Sequence, residues 1–273
     1  RSAPFFRQMD ELGVLEVIFP EIRAMKGCTQ NSYHHRDVWQ HSLAVFENIE
    51  TILSHLPEFF GNSSGAVPEN LQIHDRAALL KLAALLHDIG KPAVRKIDMQ
   101  TGRITFYGHD REGAGLIGEV AQRLKMSNRA RSFLSLLVAE HLHVLKLSEP
   151  EVRHTTKLRW FRKLKEQRAL DDAVSVIILG MADIKGTLGA DSREEDRTRH
   201  LEWSKQVVGE YFRSIQPELD RKDLITGADL LGLGMEPGPR IGAVLKRIRE
   251  LHDEGEIQDK EGALRKAKEL LSI

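Results

Sequence analysis

An all-α fold is predicted by three features of the 273-residue sequence. Aromatic residues make up only 6%, alternating β-branched and polar runs are nearly absent, and apolar residues recur at the helical period. A short apolar helix is expected within 7–19. The segment 37–54 reads as an amphipathic helix, with Val38, His41, Val45, Ile49 and Ile52 on one face. A loop is expected over 57–68, where Pro57 and Pro68 bracket a Gly-Asn-Ser-Ser-Gly string. From Arg76 to Ile89 the chain is apolar almost all round, as a central buried helix should be, and Gly90 and Pro92 end it. Residues 98–107 carry the one hairpin-like signal, read as a loop or a tiny ribbon. Helices then recur at about 112–125, 129–143, 150–168, 170–184 and 194–215. Pro217 marks a boundary. Beyond it come a helix over 227–232, a Pro-Gly-Pro turn at 237–239, and helices over 240–253 and 260–271.

Composition narrows the class of protein. Hydrophobic residues form 41% of the chain and charged residues 29%, enough apolar material for a core. No apolar run approaches a membrane span, and residues 1–10 lack the apolar stretch of a secretion signal. The one cysteine, Cys28, forms no internal disulfide, so a soluble cytoplasmic protein is expected. Lys plus Arg (40) equals Asp plus Glu (40), so the overall charge does not steer the chain to nucleic acid. The sequence opens on Arg1-Ser2-Ala3-Pro4 rather than on methionine, which reads as a fragment of a longer chain.

Chemistry is concentrated in polar residues on apolar helices. His41 lies between Val38 and Val45, and His87 and Asp88 close the most hydrophobic stretch. His141 follows Leu137 and Val138 on an inward face, and Asp183 follows Leu179. His109 sits in a Gly-His-Asp turn just before a helix. A single histidine in such a place is ordinarily a satisfied core residue. A recurring set of inward imidazoles and carboxylates is costly to bury unless a cation gathers it.

The string Leu85-Leu86-His87-Asp88-Ile89-Gly90-Lys91-Pro92, with upstream His41 and downstream Asp183, resembles the HD-domain metal phosphohydrolases. Gly108-His109-Asp110-Arg111-Glu112-Gly113, Val138-Ala139-Glu140-His141 and Ala182-Asp183-Ile184-Lys185-Gly186 are similar to the HD portion of bacterial tRNA nucleotidyltransferases. Leu224 to Gly234, then Pro237-Gly238-Pro239 and Gly255-Glu256-Ile257, resemble the small RNA-binding module that ends those enzymes. The resemblance implies an HD helical bundle and divides the chain in three. Residues 1–30 correspond to the end of the neck, 31–200 to an HD phosphohydrolase domain, and 201–273 to a small helical tail. The head of that family, with its Gly-rich strand-turn motif and paired aspartates, has no counterpart here. No nucleotidyl transfer is expected of this chain alone, and a head domain is expected in front of it in the parent protein.

The resemblance further implies that His41, His87, Asp88 and Asp183 hold one divalent ion, with His109 and His141 available for a second and Asp88 bridging. Two such ions would bind a phosphate oxygen and acidify water, so hydrolysis of phosphomonoesters or 2′,3′-cyclic phosphodiesters is implied. Mn, Ni, Co or Mg suits this oxygen and nitrogen donor set, which includes no cysteine. Asp88 and Lys91 are the catalytic candidates. Lys91 would place charge on a phosphate, or else is a solvated lysine favoured by a helix dipole. Arg111 would clamp the same anion, or else pairs with Glu112 or Asp110. His34 and His35 read as surface or capping residues, and His143 points away from His141.

A second theme is tRNA. Lys157, Arg159, Arg162, Lys163, Lys165 and Arg168 form a basic stretch with Trp160 and Phe161 interleaved, either a phosphate-binding face or a solvated helix face whose aromatics are core. In the tail, Arg240, Lys246, Arg247 and Arg249 form one basic run. Residues 201–273 carry 12 basic against 14 acidic residues, so charge does not argue for RNA there and only the family likeness does.

Overall fold

A computed structural model of the chain describes residues 1–30, 36–63, 65–167, 169–187 and 193–271. The fold is all-α, with one two-stranded ribbon. The single helix expected over 7–19 is split. Gly13, at φ 73, breaks it into α1 (Ala3–Glu11) and α2 (Val14–Ile18), a left-handed turn that glycine adopts readily. A short α3 (Ile22–Met25) follows. Next comes α4 (Val38–Ser54), capped by Asp37, whose carboxylate accepts from the Gln40 amide.

The expected loop over 57–68 is instead mostly helical, with α5 (Leu56–Phe60) and α6 (Ala66–Gln72). Pro57 occupies the first turn of α5, where its missing N–H is no loss, so it starts a helix rather than breaking one. The next helix, α7 (Arg76–Leu86), stops just before the His87-Asp88 pair, and a turn leads into α8 (Lys91–Val94). Strands β1 (Lys96–Ile97) and β2 (Ile104–Thr105) pair antiparallel in the register Lys96↔Thr105 and Ile97↔Ile104, so 98–107 does hold a small ribbon's turn and second strand.

Helices α9 (His109–Arg123), α10 (Asn128–Leu147), α11 (His154–Glu166) and α12 (Ala173–Gly186) complete the bundle. α12 packs on α4, α7 and α10, while α9 lies along α10. The central helix is α12 rather than α7. Every residue from Ala173 to Asp183 is buried, because no charge interrupts the run, whereas α7 exposes Ala78 and half-exposes Lys81. α13 (Glu194–Glu210) continues through a π-helical turn (Tyr211–Ile215) into α14 (Gln216–Leu219).

Trp203, Val207, Tyr211, Ile215 and Leu219 belong to the same apolar core as Ala3, Leu15 and Ile22, so neither 30/31 nor 200/201 divides the packing. Pro217 sits in the first turn of α14 and separates nothing. A second, smaller core begins at Ile225 and is built by α15 (Gly227–Gly232), α16 (Pro239–Asp253) and α17 (Lys260–Leu271). No described helix is long and apolar enough to cross a membrane.

Candidate metal centre

Three bundle helices, the turn after a fourth and the start of α9 meet at one buried point. His41 comes from α4, His87 and Asp88 from the turn after α7, His109 from the first residue of α9, His141 from α10 and Asp183 from α12. All six are buried. His109 therefore opens a helix, behind the left-handed Gly108 (φ 83), rather than lying in a turn before one. Gly90 allows the approach of the two segments. A Cβ there would lie 2.3 Å from the His109 carbonyl oxygen and 2.5 Å from the Gly113 nitrogen, so no larger residue fits.

Three of the imidazoles are oriented by the backbone. His87 Nδ1 donates to the Ala84 carbonyl (2.9 Å), His109 Nδ1 to Phe106 (2.7 Å) and His141 Nδ1 to Val138 (2.6 Å). With Nδ1 facing a carbonyl and holding a proton, each ring in its neutral form presents the Nε2 lone pair to the centre, the usual arrangement of an imidazole that serves as a ligand. Among the described residues, the Nε2 atoms of His87, His109 and His141 and Asp88 Oδ1 have no hydrogen-bond partner. The rings meet edge to face or tilted, 5.3–5.4 Å apart.

Separations between the donor atoms test whether these residues fit a metal. His87 Nε2 lies 3.2 Å from Asp88 Oδ2 and 3.7 Å from Asp183 Oδ1, and His41 Nε2 is 2.9 Å from Asp183 Oδ1 and 3.8 Å from Asp88 Oδ2. On the other side, His109 Nε2 is 3.4 Å and His141 Nε2 3.9 Å from Asp88 Oδ1. Most of these distances are too long for good hydrogen bonds. Metal–ligand bonds of about 2.1 Å place neighbouring donors about 3.0–3.4 Å apart, close to what is found. Three overlapping donor groups result: His41, His87 and Asp88; His87, His141 and Asp183; Asp88, His109 and His141. The two oxygens of Asp88 thus face different histidines, as a bridging carboxylate would.

Electrostatics follow from this crowding. Burial works against a charged His87, but the Asp88 and Asp183 carboxylates outweigh it and push its pKa up to about 10. His141, buried and beside His87, is driven down to about 4. Burial alone would raise Asp88, yet His87, Lys91 and His109 hold it well below the usual carboxylate range, and Asp183 behaves likewise beside His41 and His87.

Lys91 is not a solvated residue. It is buried, with Nζ 2.7 Å from Asp88 Oδ2 and 2.6 Å from Gln30 Oε1, and 5.4 Å from the Phe106 ring centre. Gln30 is the participant that sequence reading missed. It lies 61 residues before Lys91 in irregular chain, where no periodicity signals it, and its amide also donates to the Arg36 and Asp37 carbonyls at the start of α4. Arg111 is exposed on the first turn of α9. His143 is exposed and stacks on Trp160, outside the cluster. His34 and His35 lie outside the described residues.

The model of the HD domain family matches residues 38–185, a span that holds all six converging side chains. The chain belongs to the HD-domain family. Likeness continues past the HD segment. The chain is 30% identical over 250 residues to the A-adding tRNA nucleotidyltransferase of Deinococcus radiodurans, covering 91% of this chain and 50% of that protein. It is 31% identical over 266 residues to the CC-adding tRNA nucleotidyltransferase of Thermus thermophilus (96% and 52%). It is 26% identical over 208 residues to the multifunctional CCA protein of Actinobacillus pleuropneumoniae (76% and 45%). The HD chain spans about half the length of these relatives.

The basic residues of the HD body and tail are less free than the sequence suggests. Arg162 is clamped to Asp253 of α16 through Nε and Nη2 at 2.7–3.1 Å, and Lys163 donates to Glu140 at 2.6 Å. Arg159 approaches Glu254 at 3.6 Å while staying exposed, and Arg247 approaches Glu250 at 3.3 Å. Trp160 and Phe161 are core residues, with Trp160 Nε1 donating to Glu140, so they offer no stacking face. Arg240, Lys246 and Arg247 are exposed on α16, and Lys246 shares a cleft with Arg159 and Lys163. Arg168 lies outside the described residues.

Proposed function

We propose that this HD domain is a metal-dependent phosphohydrolase acting on phosphomonoesters or 2′,3′-cyclic phosphodiesters. The observation that carries the reading is the convergence of three unpartnered Nε2 atoms on Asp88, each imidazole held from behind by a backbone carbonyl. A divalent cation satisfies these inward lone pairs and the Asp88 and Asp183 carboxylates together. His41, His87, Asp88 and Asp183 would hold one ion, His109 and His141 a second, with Asp88 shared and Mn, Ni, Co or Mg the candidate metals. Divalent ions there supply Lewis acidity for a phosphoryl oxygen and for water.

The chain's own residues do the rest. Asp88 holds the two halves of the centre together. Lys91 has three N–H donors, of which Asp88 and Gln30 take two, and the third is available to a phosphoryl oxygen. Arg111, two residues after His109 on the first turn of α9, adds positive charge for the same anion. Purified protein given Mn²⁺, Ni²⁺ or Co²⁺ is expected to hydrolyse bis-p-nitrophenyl phosphate or 2′,3′-cyclic AMP. Asp88→Ala is expected to lower kcat/KM by at least about 10³-fold, the scale of removing a metal's electrostatic contribution. Undiminished turnover in that variant refutes the assignment.

A second reading is supported by likeness that reaches beyond residues 38–185 into the tail. In it, the same body grips tRNA in the cytoplasm through Arg159, Arg240, Lys246 and Arg247, with Arg162 and Lys163 supporting them from their ion pairs. A tRNA gel shift with this chain is expected at low salt and should weaken as salt rises. Absence of any shift at low salt removes the tRNA role and leaves the hydrolase reading intact.

A further inference from the structure

We propose that Gln30 is a positioning residue for the metal centre: its side-chain carbonyl aims the Lys91 ammonium, and its amide group fixes which way that carbonyl points. What Lys91 acts on rests on the hydrolase reading above, whereas the aiming itself stands on contacts within the chain.

Residues 27–30 form an irregular strap that is pinned at every residue. The Gly27 amide donates to Asp37 Oδ2 at 2.9 Å, and the Cys28 carbonyl accepts from the Val38 amide at 3.1 Å. Arg95 donates to the Thr29 carbonyl and to Thr29 Oγ1 at 3.2 and 2.6 Å. The strap thus joins the start of α4, which carries His41, to the residue just past α8, which opens on Lys91. Gln30 is the buried residue of the strap.

A carboxamide has two orientations, and the surroundings of Gln30 admit one. Its Nε2 donates to the Arg36 and Asp37 carbonyls at 3.2 and 3.4 Å, and the Asp37 carbonyl also accepts from the His41 amide at 3.0 Å. Its Oε1 accepts from Lys91 Nζ at 2.6 Å. Turned over, the group would set an oxygen against two carbonyl oxygens and an NH2 against an ammonium, which has no lone pair to offer. Backbone at the start of α4 therefore holds the acceptor toward Lys91.

The ammonium is buried between Gln30 Oε1 and Asp88 Oδ2, the latter 2.7 Å away, and the Phe106 ring 5.4 Å off brings no oxygen. Against one acceptor, an ammonium on a flexible four-carbon stem can turn and shift. Two acceptors hold it, and the remaining N–H keeps a single direction, the condition for catalytic use of a mobile side chain. Among the described residues nothing else accepts from Lys91.

Two substitutions separate aiming from mere fastening of the strap. Gln30→Met removes the acceptor and both donors, whereas Gln30→Glu removes the same donors but keeps an acceptor for Lys91. Metal-free, ¹⁵N-lysine-labelled protein is expected to show a slowly exchanging Nζ–H signal that Lys91→Met lacks. Gln30→Met should speed its exchange with water at least about tenfold, the scale of one hydrogen bond to a charged group, while Gln30→Glu stays within about threefold of wild type. An unchanged rate in Gln30→Met, or equally fast exchange in both variants, overturns the proposal. The wild type alone also tests it, through a scalar coupling from that nitrogen to Gln30 Cδ across the hydrogen bond. Absence of the signal or of the coupling is fatal to the assignment. With Mn²⁺ and bis-p-nitrophenyl phosphate, Gln30→Met should lower kcat/KM about tenfold, and no further in a Lys91→Met background. An equal loss in both backgrounds rejects aiming through Lys91. Should the wild type leave the diester intact, the hydrolase reading fails and the lysine signal still decides the role of Gln30.

Discussion

At its first residue α7 buries Arg76, and just past its last residue it buries His87 and Asp88, about 16 Å further along the axis. The two ends handle charge in opposite ways. Arg76 Nε and Nη2 reach Asp172 Oδ1 at 2.8 and 2.7 Å, and Nη1 donates to the Asn70 carbonyl at 3.0 Å. At the other end, three imidazole nitrogens face carboxylate oxygens without hydrogen bonds among the described residues. Even the acids differ. Burial leaves Asp172 above the ordinary carboxylate range despite Arg76, whereas His87, Lys91 and His109 overcome burial and hold Asp88 well below it. A charge buried to join helices finishes its hydrogen bonds within the fold. A charge buried to hold a ligand keeps lone pairs pointed at a shared centre.

The comparison breaks most visibly at the Arg76 end. Arg76→Met should destabilise the protein by about 3–5 kcal/mol in urea titrations, because it strands a buried Asp172, and chelator should leave that loss in place. A loss below about 1 kcal/mol would mean that the pair does not hold α7 to the start of α12. The His87 end should respond to metal instead. Mn²⁺ at about 100 times its Kd should stabilise the wild type by about 2.7 kcal/mol, read from thermal melts with and without chelator, and His87→Ala should abolish the gain. Equal gains in both proteins would place the ion elsewhere.

The smallest effect concerns a third buried charge, Glu50. It accepts from the Ser2 and Ala3 amides and from Lys81, tying α1 to α4. Burial opposes its charge, but these donors bring its pKa from 4.5 down to about 2. Its contribution is therefore complete above pH 4.5 and lost as pH falls through 2. Lys81 is 29% exposed, so water screens the pair and about 1–2 kcal/mol is expected. Glu50→Gln should flatten the stability profile by that amount between pH 4.5 and 2. An unaltered acid slope would show that the charge on Glu50 contributes nothing to holding α1.

Much of the candidate site was legible because ligand side chains interrupt apolar helices. His41, His141 and Asp183 stand at helical spacing among aliphatic neighbours, and His87-Asp88 follows the run that forms α7. The rest was not legible because it depends on contacts distant in sequence. Nothing around Gln30 indicates that its side chain meets Lys91, and nothing in the basic stretch reveals that Arg162 is bound to Asp253, 91 residues away. The prolines misled at Pro57 and Pro217, since each fits the first turn of a helix as well as it fits a break.

Helix content and the inward placement of His41, His141 and Asp183 were determined by the sequence alone, because both are periodic properties of short segments. Which helix lies at the centre, where the first core ends and which Asp88 oxygen faces which imidazole were decided by tertiary structure. Those outcomes depend on how helix ends converge in space, and spacing along a chain carries no record of that.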